Sequence, residues 1–171
     1  RIFTTSLYAI GLYSLFLSEN IFTVSSIRTI ALLASARTVS FVITLISYFF
    51  LSNVLFSLHI QFIPFLKLLF LFSFPLVVFS IWTYTLEKKL FENIYWSLVL
   101  AFVLVEVGSI LWFWPSTPTV LAIFLTGVFY TTVGLSQVWF EKRLFRSVMW
   151  EYIWVSSIVL ITLLLFTSWT S

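Results

Sequence analysis

Six stretches of this chain run without a formal charge: residues 2–18, 38–66, 68–86, 93–105, 107–140 and 152–171. Runs of this length constrain the fold more than any motif, because a water-facing helix or strand needs polar positions at its own period. A helix crosses a hydrocarbon core with about 20 mainly apolar residues. In lipid, only helices and closed barrels satisfy their own backbone groups. Barrel strands alternate polar and apolar residues, whereas Leu68-Leu69-Phe70-Leu71-Phe72 and Leu163-Leu164-Leu165-Phe166 do not. The chain therefore reads as all-α, a polytopic transmembrane helix bundle in a single domain over residues 1–171.

Composition closes off the soluble alternative. The chain is 61% apolar and 9% charged, against about a half and a quarter in soluble domains. Fifteen charged side chains cannot clothe a hydrated exterior. Six spans take about 120 residues and leave only short connections. Ser57-Leu58-His59-Ile60-Gln61 and Trp114-Pro115-Ser116-Thr117-Pro118-Thr119 divide the two longest runs. Spans are expected at about 2–22, 38–58, 62–85, 91–113, 119–140 and 147–169. Residues 23–37 carry Arg28 and Arg37 around Ile30-Ala31-Leu32-Leu33-Ala34; they fit either a flat interfacial helix or an extension of a neighbour. The chain begins at Arg1, as a trimmed or partial chain would, and its start does not read as a signal peptide.

Lys and Arg near the span ends set orientation. One set of loops holds Arg28, Arg37, Lys88, Lys89, Lys142, Arg143 and Arg146; the other side holds Arg1 and, near an interface, Lys67. The basic loops are expected to be cytoplasmic, with both chain ends outside, in a bacterial plasma membrane. Trp82, Trp96, Trp139 and Trp150 fall near the basic loops, and Trp112, Trp114 and Trp169 near the opposite surface, as interfacial anchors do.

Two basic loops resemble each other. Glu87-Lys88-Lys89-Leu90-Phe91 recurs as Glu141-Lys142-Arg143-Leu144-Phe145 at an offset of 54 residues, with Trp96 matching Trp150. That spacing fits either a tandem, parallel helical-hairpin repeat or convergence of two short basic loops. The lysines suit anionic lipid headgroups.

Chemistry is sparse. There is no Cys, no Asp and one His, His59, which leaves out disulfides, Ser-His-Asp triads and multi-histidine metal sites. No glycine-rich phosphate loop is present, and no basic run suits nucleic acid. No cofactor or metal is expected, and no enzyme. Glu106 lies 14 residues beyond Glu92, about 21 Å along a helix and so deep in the bilayer. Its nearest candidate partner by depth is Lys67 on the preceding span. The functional expectation is a Glu106–Lys67 pair lining a polar cavity between these spans. The plainer alternative is a protonated Glu106, with Lys67 snorkelling outward. Asn53 and Gln137 suit hydrogen bonds across helices, while Gly127, Thr131 and Gly134 share a face that allows close helix approach. Pro75 falls mid-span, where it should kink the third helix.

The stretch Trp114–Thr119, the Gly-containing span after it, the short basic loop and the end from Thr162 to Trp169 resemble uncharacterised bacterial multi-pass membrane proteins of unknown function. The resemblance covers the last third of the chain and implies no activity. Six spans in so small a chain also match, in size alone, the substrate-binding subunits of vitamin transporters. Two roles are expected. The first is a non-catalytic scaffold or partner-dependent subunit, in contact with lipid and with a membrane-protein partner or a second copy. The alternative is a small solute-binding or transport protein using Glu106 and Lys67.

Overall fold

A computed structural model describes residues 1–25, 32–85, 90–142 and 145–167, without the side chains of 90–92. Arg28, Lys88, Lys89, Arg143 and Trp169 lie outside the described residues. Six helices follow one another: α1 (Ile2–Ser25), α2 (Leu33–Ser57), α3 (Phe62–Thr85), α4 (Leu90–Trp112), α5 (Pro118–Phe140) and α6 (Arg146–Leu165). All six are long and apolar enough to cross a membrane. Among the described residues there is no strand. The chain has the all-α architecture of an integral membrane protein.

The helix ends have local causes. α5 starts at Pro118 after an extended Thr117; proline suits a first helical position because its missing N–H is unpaired there anyway. α2 and α5 stop at left-handed residues, His59 (φ 46°) and Lys142 (φ 55°), a terminating conformation more often supplied by glycine. α3 runs through Pro75, which removes the backbone bond to the Leu71 carbonyl. α2 begins at Leu33, earlier than the span expected from residue 38. Of residues 23–37, then, 23–25 finish α1 and 33–37 open α2, while 26–31 lie outside the described residues.

Four helices form the core. α3 packs on α4, α2 packs on α5 and on α3, and α5 also touches both α3 and α4. α1 lies against α2, and α6 against α5. The centre is filled by Tyr48, Leu69, Val77, Leu104, Leu125 and Phe129. The Tyr48 ring sits 4.4 Å from Phe129 and 5.5 Å from Phe72, with its hydroxyl 3.2 Å from Ser73 Oγ. Many helical hydroxyls bond back to their own preceding turn: Thr44 to Ser40 O, Ser97 to Asn93 O, Thr126 to Ala122 O and Thr132 to Val128 O. Their polarity is consumed inside the helix. The hydroxyls of Ser40, Ser52 and Ser80 are buried without a partner.

Cross-helix contacts fix the two ends of the bundle. At one end Phe22 meets Trp82, Asn93 Nδ2 donates to Thr85 Oγ1, and Trp96 packs edge-on to Trp139. At the other, Phe62 meets Trp112, Thr119 Oγ1 donates to Asn53 Oδ1, and Trp114 Nε1 donates to Thr167 Oγ1. The α3–α4 and α5–α6 hairpins both turn at the first end, the arrangement that a parallel hairpin repeat requires.

Candidate functional site

Glu106 and Lys67 lie on the outside of the bundle. The buried side of α4 is the ridge Ser97, Ala101, Leu104, Gly108 and Leu111. Glu106 is two residues from both Leu104 and Gly108, so it projects about 200° round the helix from each. The same phase applies to Lys67, between buried Phe65 and Leu69 on α3. Both side chains are exposed. In this structure both stand on the exposed surface of the α3–α4 hairpin, away from the buried ridges of their helices. At their level the α3–α4 seam is closed: Gly108 lets Leu69 so near that a Cβ there would overlap its Cδ2. The ion pair among the described residues is a different one, Arg37–Glu141. An ionised side chain on a lipid-facing surface costs a few kcal/mol unless it is paired, protonated or hydrated.

A dense polar junction among the described residues forms around Arg37, in the second turn of α2. Its Nε donates to Thr83 O at 3.0 Å, its Nη2 to Tyr84 O at 3.1 Å and its Nη1 to Glu141 Oε1 at 2.9 Å. The guanidinium also lies 4.9 Å from the centre of the Tyr84 ring. Thr83 and Tyr84 belong to the last turn of α3, where carbonyls lack helical partners and the helix dipole is negative. Glu141 is the C-cap of α5. One planar side chain thus ties the start of α2 to the ends of α3 and α5, using the fork geometry that lysine lacks. Four residues before Glu141, buried Gln137 donates from Nε2 to Ser80 O at 3.1 Å. Gln137 and Asn53 both bond across helices. Arg37 was readable as a basic topology marker; its partners, 46 to 104 residues away, leave no sequence signal. Lys142 and Arg146 are exposed at this same end.

At the opposite end a cavity of about 300 Å³ opens between the α2–α3 turn and the α4–α5 loop. Phe56, His59, Ile60, Trp112, Trp114 and Ser116 are among its walls. His59 Nδ1 lies 2.8 Å from Ser57 O, a carbonyl that can only accept, so Nδ1 is the donor in this contact. Neither Glu106 nor Lys67 borders this cavity.

On α5, Gly127 and Gly134 face α6. A Cβ at Gly127 would lie 2.6 Å from Val159 Cγ1, and one at Gly134 2.7 Å from Tyr152 Cε1. Thr131 lies between them, its hydroxyl donating to Gly127 O at 3.0 Å. Shallow grooves along this seam are lined by Thr131, Tyr152 and Ser156.

The chain matches a protein family of unknown function, DUF5656, over residues 9–166, and it belongs to that family. The match extends far beyond the last third of the chain, where the resemblance to uncharacterised membrane proteins was carried. No curated protein and no solved structure matches it.

Proposed function

We propose that this member of the family is a non-catalytic membrane scaffold, or a subunit that acts through a partner within the bilayer. One observation carries the reading: the two charges within the spans, Glu106 and Lys67, project from the bundle, while the core behind them is filled by Leu69, Leu104 and Leu125. Charge directed outward at depth serves contact between chains better than passage through one. An internal solute site built on these residues needs both side chains inside the bundle. The Arg37 junction suits a scaffold for a second reason, since it fastens three helices to one another at one end. Interfacial lipid contact falls to the exposed ring of Trp82, Trp96, Trp139 and Trp150.

The orientation proposed with it puts the Arg37 end in the cytoplasm of a bacterial cell, with both chain ends outside. Arg37, Lys142 and Arg146 lie at that end, and the sequence adds Arg28, Lys88, Lys89 and Arg143 to the same connections. Reconstituted proteoliposomes test the role. The scaffold reading predicts solute flux no greater than in empty vesicles, and a native-nanodisc particle larger than one chain. A flux abolished by Glu106→Gln would overturn it in favour of transport.

A further inference from the structure

The outer surface of the α3–α4 hairpin carries two parallel stripes. On α3 it is Ile63, Lys67, Phe70 and Phe74; on α4 it is Phe102, Glu106 and Ser109, continued by Phe113 just past its end, each at i, i+4, i+7, i+11 spacing. Ring contacts hold the stripes side by side: Phe70 to Phe102 at 5.5 Å and Phe62 to Phe113 at 5.4 Å. The same contacts set the depth. Phe62 opposite Trp112, Leu69 opposite Gly108 and Phe70 opposite Phe102 bracket Lys67 and Glu106, so the two charges lie within about one turn of a common level. Both are exposed on this one surface; among the described residues α4 packs on α3 and α5, while α1 and α6 pack mainly on α2 and α5.

A surface with opposite charges side by side at one depth is self-complementary under a two-fold axis. Two copies inserted with the same orientation can be related only by an axis along the membrane normal. Such an axis preserves depth and sets α3 of one copy opposite α4 of the other. An isologous contact then forms twice. The geometry points to a second copy of this chain as the occupant: a two-fold homodimer through the α3–α4 face, held by reciprocal ion pairs between Lys67 of each chain and Glu106 of the other. The exposed aromatic rings of Phe102 and Phe113 supply van der Waals contact between the copies. This inference rests on the scaffold reading and names its partner. Loss of the dimer leaves the flux test untouched, so the two fail separately.

The chain contains no cysteine, so a single Ser109→Cys reports on this face without background. A short thiol-reactive cross-linker, applied to membranes, should capture S109C as a dimer. Lys67→Glu and Glu106→Lys, each in the S109C background, should lose the captured dimer by about tenfold or more. Co-expressing those two reversed chains under different tags should restore a mixed dimer, because each then meets its opposite charge in trans. The double reversal K67E/E106K should restore the homodimer. Unchanged capture in both single reversals overturns the proposal. So does restoration in the double reversal without restoration in the co-expressed pair, which would place the ion pair within one chain. If the reversals fail to fold, Lys67→Gln and Glu106→Gln remove attraction without adding repulsion; capture equal to that of S109C alone in both would equally overturn it.

Discussion

Three helices converge on Arg37. Three charge-assisted hydrogen bonds leave one guanidinium for two carbonyls and a carboxylate. Such bonds are worth more than neutral ones, and leaving their acceptors unpaired costs extra. Arg37→Ala should destabilise the bundle by about 2–3 kcal/mol. Arg37→Lys should recover only part of that loss, because an ammonium cannot span all three acceptors. Glu141→Gln should cost less, about 1 kcal/mol, since the pair is partly open to solvent. Thermal unfolding in detergent would rank them; an Arg37→Lys protein as stable as the parent would contradict the junction. This residue also marks the boundary of what a sequence reveals. A lone arginine between two apolar runs reads as a loop, because its neutralising partners on α3 and α5 come together only in the folded bundle. Glu106 shows the reverse case. Its depth follows from counting residues, but the side of the helix it occupies does not, because α4 is apolar on nearly every face and carries no periodic signal of phase.

At the scale of elements, the helices were legible because each contains a long charge-free run and is bounded by proline, polar clusters or charge. The exception is the start of α2, where Arg37 lies inside the helix and not ahead of it. The α5 glycines were legible as a packing face, since small residues at these spacings let backbones approach. Their partners on α6 were not. Gly127→Ala would set a Cβ 2.6 Å from Val159 Cγ1, and a β-branched valine is stiff about χ1. A cost of about 1–3 kcal/mol is expected, with α6 displaced from α5. Gly11→Ala is the matched control. Nothing lies within 4 Å of that Cβ, so the change should be neutral or stabilise α1 by up to about 1 kcal/mol. Unfolding of the two variants in parallel separates packing from helix propensity; equal shifts would contradict the seam.

For the whole molecule, the arrangement is a four-helix core with one helix laid on each flank and a polar clamp at one end. Ser116, in the α4–α5 loop, and Ser147, at the start of α6, lie at opposite ends. Cysteines introduced there should label from opposite sides of sealed vesicles with an impermeant reagent, Ser147 from the side of the basic loops. Labelling from one side would contradict the six-span arrangement. The interior of this core is filled by apolar side chains, and the proposed contacts lie on its outer faces. The row Ser40, Thr44, Tyr48 and Ser52 runs along the buried side of α2, in the interior that any passage through the bundle would have to cross. Ser52→Cys tests it directly: the change is nearly isosteric, the position is fully buried, and the chain has no other thiol. Reacted with a small, charged, water-soluble thiol reagent in reconstituted membranes, Ser52→Cys should be modified at least about a hundredfold more slowly than Ser147→Cys, as burial without water demands. Modification of the two at similar rates would reveal a water-filled passage and contradict the account.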